Sequence, residues 1–149
     1  MSVNPNLADL VFEPTASYLV GREKVREFAK AVFASDPVHF DVTLAQSRGF
    51  SDVVAPTTFP VVIQDMTLHQ LLAHPEAGID FSRVVHGDQK FEYRRPLVAG
   101  DEVVAQLKVT KVQSLGGHTM VTSETEVTTI GGGHVVTATS TLVIRGDES

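Results

Sequence analysis

The 149 residues predict a single domain over residues 1–149, with 42% hydrophobic content for a core and 20% charged content that argues against global disorder. The formal net charge of −6 argues against nucleic acid as a partner, because phosphate contacts need clustered Lys and Arg, and the absence of cysteine excludes disulfides and thiolate chemistry. We see no membrane-spanning run and no signal-peptide core, so we expect a cytoplasmic protein without a membrane partner.

The N-terminal third predicts an arm followed by short elements. Residues 1–14 are polar and predict an irregular arm on the surface, and residues 16–20 predict a short strand. Residues 22–33 carry apolar side chains at i, i+3, i+4, i+7 and i+8, the spacing of an amphipathic helix, which we expect Pro37 to end. Residues 42–48 predict a second short helix that stops at a glycine.

A third helix is predicted to run to His74 and to form the centre of the fold. Thr57 or Thr58 is its expected N-cap, and Pro60 then lies in the first turn, where a missing N–H costs little. Because the helix is apolar on most sides, we expect it to be buried. Asp65 and His69, four residues apart, are candidates for a buried proton relay or for a core or interface pair.

The second half of the chain predicts antiparallel strands over residues 84–93, 102–115, 118–130 and 134–145, joined in part by glycine turns at 116–117 and 131–133. A buried helix and a long antiparallel meander can bury both apolar surfaces when the sheet curls around the helix. This predicts an α+β hot-dog fold, with a long central helix wrapped by a curved antiparallel sheet. Exposed sheet edges then favour edge pairing between subunits, so we expect a dimer.

Six short segments together carry a resemblance to a known family through their order and spacing. They are residues 22–29, 36–40, 49–50, 55–59, 85–93 and 95–101. On these segments the chain resembles the MaoC-like or FAS1-like dehydratases, and within them the small actinobacterial companion subunits of (3R)-hydroxyacyl-ACP dehydratases. The resemblance implies reversible removal of water from a (3R)-3-hydroxyacyl thioester of ACP or CoA, giving the trans-2-enoyl thioester, with no cofactor.

That reaction needs a base for the proton beside the carbonyl, an acid for the leaving hydroxyl, and stabilisation of the thioester oxygen. The resemblance implies that His39 is the family histidine, whose partner in active members is an Asp five positions earlier. Here that position is Ala34, so the catalytic pair is incomplete. Asp36 is a candidate to orient His39 or to raise its pKa; the alternative is a turn or helix cap before Pro37.

The substrate-binding candidates lie at the start of the central helix and on the first long strand. Pro56, Thr57 and Thr58 stand at the helix start, where the resemblance implies that backbone N–H groups hold the thioester oxygen, aided by the helix dipole. Active members usually carry His-Gly at the first two of these positions. His86 and Asp88 are candidates to reach the second subunit's site, or else they belong to a strand-end loop.

Two further signals bear on partners and metals. A modest basic spot at Lys90, Arg94 and Arg95 could meet a carrier phosphate, although a solvated strand end is the commoner reason for such charges. The six histidines show neither HxH nor HExxH spacing, so no metal site is expected.

Three functions follow as hypotheses. The first is a subunit of an (R)-specific 3-hydroxyacyl-thioester dehydratase, supplying half the pocket and the acyl-chain tunnel to a heterodimer with a MaoC-like hot-dog partner that has an intact Asp and His. The second is a self-sufficient homodimeric hydratase that uses His39. The third is a non-enzymatic acyl-thioester binder or scaffold.

Overall fold

The computed structural model describes residues 3–146, which form three α-helices and one antiparallel sheet of five strands. The helices are α1 (Arg22–Ala31), α2 (Val42–Ser47) and α3 (Pro60–Ala73), and the strands are β1 (Tyr18–Leu19), β2 (Val84–Tyr93), β3 (Glu102–Leu115), β4 (His118–Thr129) and β5 (His134–Ile144). The strand order is β1-β3-β4-β5-β2, and α3 packs on the three middle strands. The predicted α+β hot-dog fold is confirmed. Met1, Ser2 and residues 147–149 of the predicted domain lie outside the described residues.

The long strands follow their sequence patterns closely. In β3, Val103, Ala105, Leu107 and Val109 alternate with partly or fully exposed residues and are completely buried toward the core. The turn between β3 and β4 places Gly116 and Gly117 at φ of 58° and 83°, backbone angles that glycine adopts without steric cost. The predicted hairpin there is therefore confirmed.

The central helix begins differently from the prediction. Phe59 is the N-cap, its backbone is already helical, and no side chain caps the helix. The backbone closes the first turn itself, since the Val61 N–H donates to the Thr58 carbonyl at 3.1 Å. The prediction that Thr57 or Thr58 caps the helix through its side chain is therefore wrong.

The central helix also has a solvent-facing side. Asp65 and His69 are 65% and 70% exposed at their side chains, and their closest charged atoms, Oδ2 and Nε2, are 4.0 Å apart. Asp65 and His69 are therefore neither a buried proton relay nor a core pair, and the interface pair remains a prediction. The rest of the helix apart from Ala73 is buried or half-buried, as expected for the centre of the fold. The helix is apolar by composition, but one face still meets water.

The buried face of α3 carries two polar residues that attach it to the sheet. Gln64 and Gln89 exchange two amide hydrogen bonds of 2.8 Å each. Thr67 donates to the Gln64 carbonyl at 2.7 Å, and its hydroxyl lies 2.8 Å from that of Thr125. Because buried polar groups need partners, these pairs define how α3 is rotated on the sheet.

Helix α1 ends earlier than predicted and by a different device. Phe33 adopts φ +60°, and the Ala34 N–H bonds back to the Ala29 carbonyl at 2.8 Å, while the Phe33 N–H bonds to Lys30 at 3.2 Å. This is a Schellman closure, in which glycine normally takes the left-handed position. The helix therefore ends at Ala31, well before Pro37, and the prediction that Pro37 ends it is wrong.

The N-terminal segment covers one edge of the sheet. The N–H groups of Asp9, Phe12 and Thr15 donate to carbonyls of β3 at 2.8 to 2.9 Å. Val3 and Leu7 from the same segment are buried in the core. At the opposite edge, β2 pairs with β5 on one side and has no strand partner among residues 3–146 on the other. No helix in this described part is long and apolar enough to cross a bilayer.

Candidate active site

A mainly apolar cavity of about 760 Å³ lies where the turn at 37–39, the entry to α3 and the end of β2 come together. Its lining comprises Val32, Ala34, His39, Val54, Ala55, Pro56, Thr57, Thr58, Tyr93 and Pro96. No carboxylate belongs to this lining, and among its side chains only an imidazole and a phenol can titrate. The cavity therefore suits a ligand that is mainly apolar and carries a polar group.

His39 has a defined ring orientation in this cavity. Its Nδ1 lies 2.6 Å from the Val54 carbonyl oxygen, and a carbonyl can only accept, so Nδ1 carries the proton. The backbone supports this arrangement, because the Val54 N–H donates to the Val38 carbonyl at 2.9 Å. In the neutral ring Nε2 is then an acceptor, and within the described residues it makes no hydrogen bond. His39 is thus held in the tautomer that a general base requires.

Asp36 lies outside the lining and has other partners. Its Oδ1 accepts from the Val38 N–H at 3.0 Å and from Arg48 Nη1 at 2.8 Å, and the residue caps the short turn Pro37–His39. The Val38 N–H first, and then the Arg48 guanidinium, lower the pKa of Asp36. The ring of His39 is oriented by Val54 and not by Asp36, which corresponds to the turn-cap interpretation of this aspartate.

The entry to α3 supplies free backbone donors. Thr57 and Thr58 are exposed and line the cavity, and their N–H groups make no hydrogen bond within the part of the chain that the structure describes. Pro56 is buried beside them and its carbonyl accepts from the Phe59 N–H at 2.9 Å. These unpaired N–H groups lie in the turn just before a 14-residue helix, whose dipole favours a partly negative oxygen near its start.

Tyr93 is a lining residue that the sequence analysis did not single out. Its hydroxyl donates to the Thr57 carbonyl at 2.6 Å, and burial raises its pKa, so the hydroxyl stays protonated. A weak signal was available: Tyr93 ends the predicted strand 84–93, inside one of the six resembling segments. Its partner, however, lies 36 residues earlier, and nothing in the local sequence indicates that pairing.

His86 and Asp88 are not brought to this cavity. Both are exposed on β2, where the pairing with β5 shifts register between them, and His86 Nε2 lies 3.1 Å from the Asp88 carbonyl. Asp88 is five residues from Tyr93, which is roughly 17 Å along an extended strand. The structure thus collects His39, Pro56, Thr57 and Thr58 at one site and leaves the β2 pair away from it.

The basic residues near the end of β2 are partly neutralised. Arg95 makes two bonds to the Asp101 carboxylate, of 2.9 and 3.1 Å. Lys90 lies 3.0 Å from Glu92. No group of three or more possible metal ligands occurs within residues 3–146.

Comparison with known proteins matches the chain to a family model and to relatives along most of its length. The family model described as the FAS1-like dehydratase domain region matches residues 10–138. The UPF0336 protein of Leifsonia xyli subsp. xyli is 61% identical over 146 residues, which is 98% of each chain.

Two solved structures share the architecture closely. The C-terminally truncated HadBC (3R-hydroxyacyl-ACP dehydratase) complex of Mycobacterium tuberculosis matches with a TM-score of 0.85 and 29% identity, over 92% of this chain and 96% of the matched one. A MaoC-like dehydratase matches with a TM-score of 0.86 and 32% identity, over 93% of this chain and 42% of that longer one.

Proposed function

We propose that the chain, which belongs to the FAS1-like dehydratase domain family, is a subunit of an (R)-specific 3-hydroxyacyl-thioester dehydratase. In this proposal it contributes the substrate-binding half of a dimer of hot-dog folds. A MaoC-like partner with an intact Asp and His performs proton transfer. The observation that carries the proposal is the lining of the cavity, where Ala34 stands with His39 and no carboxylate is present.

The cavity supports recognition of an acyl thioester. The free N–H groups of Thr57 and Thr58 are donors for the thioester oxygen, which gains negative charge when the neighbouring carbon loses its proton. The apolar wall formed by Val32, Val54 and Pro96 suits the alkyl chain. These contacts act on groups that every 3-hydroxyacyl thioester shares.

The same cavity is poor in proton-transfer groups. Dehydration removes one proton from carbon and delivers one to the departing hydroxyl. His39 is equipped for one of these steps, while the hydroxyl of Tyr93 is already engaged with the Thr57 carbonyl and its pKa is raised by burial. In the proposal the Asp–His pair of the partner therefore carries out both proton transfers, and His39 only lines the pocket.

Assembly with a partner is supported by the edge of the sheet. Strand β2 has ten residues and lacks a strand neighbour on its outer side among the described residues. A second hot-dog fold can pair with such an edge. The matched mycobacterial protein is itself a complex. His86 and Asp88 lie on this edge strand, and in the proposal they approach the partner's site.

The test is purification of the tagged chain from its native cell, followed by identification of the partner and assay of enoyl-thioester hydration. We expect the complex to be active and the isolated chain to stay close to the uncatalysed rate. The matched variant is His39→Ala within the complex, which should retain most of the turnover. Strong activity of the isolated chain that disappears in His39→Ala would contradict the proposal.

A second candidate, a self-sufficient homodimeric hydratase, is favoured by one observation: the His39 ring is held by Val54 in the tautomer of a base. It predicts that the isolated chain is active and that His39→Ala abolishes this activity. Asp36→Asn then tests whether that carboxylate assists. Unchanged turnover would remove Asp36 from the mechanism.

A further inference from the structure

We infer that Tyr93 is a positioning residue for the thioester-oxygen site, acting on the Thr58 N–H through the peptide bond between Thr57 and Thr58. The inference rests on the proposed function and adds a residue to it. Tyr93 lines the cavity, and its hydroxyl donates to the Thr57 carbonyl at 2.6 Å. That carbonyl has no other hydrogen-bond partner among the described residues.

Tyr93 and Thr57, which this hydrogen bond joins, are held in place to different degrees by the rest of the fold. Tyr93 is the last residue of β2, pairs with Val136 of β5 and is half-buried. Thr57 lies in an exposed turn ahead of a helix that no side chain caps. A hydroxyl anchored on the sheet therefore fixes a turn that would otherwise be held only by its neighbouring backbone bonds.

The planarity of the peptide bond carries this effect to the donor. In a trans peptide the carbonyl of Thr57 and the N–H of Thr58 point in opposite directions in one plane. A fixed carbonyl direction thus fixes the direction of the N–H. A hydrogen bond accepted by the carbonyl also polarises the amide, which makes its N–H a stronger donor.

Tyr93 is suited to this role because it remains a donor over a wide pH range. Burial raises its pKa, and the Thr57 carbonyl can bond only to the protonated phenol. Tyr93 contacts the peptide that presents the donor, and so it differs from a catalytic residue. Its removal should weaken stabilisation of the charged oxygen and leave binding of the neutral thioester almost unchanged.

The test compares Tyr93→Phe with Tyr18→Phe in the native complex of the full-length chain. Tyr18 is the other of the two tyrosines, is also half-buried, and makes no side-chain hydrogen bond within residues 3–146. For hydration of an enoyl thioester, we expect Tyr93→Phe to lower kcat and kcat/KM together by about tenfold at unchanged KM. Tyr18→Phe should match the unaltered chain.

A second readout separates positioning from general support of the fold. The amide ¹H–¹⁵N signal of Thr58 should shift in Tyr93→Phe and respond less to a bound saturated acyl thioester. Replacing Tyr93 by 4-aminophenylalanine, which keeps a donor, should restore both rate and signal. Equal kinetics in Tyr93→Phe and the unaltered complex would overturn the inference alone. If the unaltered complex neither binds nor hydrates a thioester, both the proposed function and the inference about Tyr93 are wrong.

Discussion

In the proposed function the isolated chain is close to inactive, and replacing Ala34 by Asp should give it a hydratase activity. Ala34 and His39 line the same cavity, and the resemblance to active dehydratases implies an acid five positions before the histidine, where this chain has Ala34. The backbone at position 34 is fixed, because its N–H bonds the Ala29 carbonyl at 2.8 Å within the closure of α1. The new carboxylate therefore starts from a defined main-chain position.

The size of the gain follows from what one positioned acid contributes. General acid–base catalysis by a side chain contributes roughly 10²- to 10⁴-fold, or about 2.7 to 5.4 kcal/mol of activation free energy. We expect a value near the lower end, because Pro56 and Thr57 stand where the resemblance implies His-Gly in active members. The apolar wall should raise the pKa of the new carboxyl and favour its acid form.

The assay is hydration of crotonyl-CoA, followed by loss of the enoyl-thioester absorbance. Ser35→Asp is the matched control, since it adds the same charge at an exposed neighbouring residue outside the lining. The double variant Ala34→Asp with His39→Ala should return to background. If Ala34→Asp folds with an unchanged unfolding temperature and is no faster than Ser35→Asp, the reasoning that an acid at position 34 completes a catalytic pair with His39 is wrong.

Three further predictions concern stability and pH. Phe59→Ala, at a fully buried position, should lower the free energy of unfolding in urea by about 3 to 5 kcal/mol, whereas Phe81→Ala, 72% exposed, should change it by less than about 0.5 kcal/mol; similar losses would refute this packing. Phe33→Gly should raise the free energy of unfolding by about 0.5 to 1 kcal/mol, because Phe33 has φ +60° and is 92% exposed; a lower thermal midpoint would contradict the strain argument. The Arg22 guanidinium lowers the pKa of Asp52. The unaltered chain should therefore have a higher free energy of unfolding than Asp52→Asn above pH 3.8, and this difference should disappear as the pH falls through the folded-state pKa of Asp52. A difference in the free energy of unfolding that does not change with acid pH would argue against this ion pair.

The elements that sequence patterns predicted well are those with local signals. Strands β2 and β3 have the predicted bounds, because alternating apolar residues and turn glycines act over a few neighbours. The ends of α1 and α3 were predicted less well. Phe33 takes a backbone conformation normally reserved for glycine, and Phe59 caps α3 through its backbone, so neither residue type indicates what it does.

The residues of the candidate site also differ in whether a local sequence signal predicted them. His39 and the residues at the entry to α3 were predicted from one continuous segment, and the structure places them around one cavity. Tyr93 reaches that cavity through a bond to Thr57, which depends on how the end of β2 packs against the turn before α3. Such a contact between distant segments leaves no periodic trace in a single sequence.

The free outer edge of β2 has a consequence for the amount of this protein in a cell. A ten-residue edge without a strand partner among residues 3–146 is a template for pairing with other chains, including aggregating ones. In the dimeric assembly proposed here, a chain synthesised faster than its partner keeps that edge exposed to chaperones and proteases. The rate at which the partner is produced would then set the steady-state level of this chain.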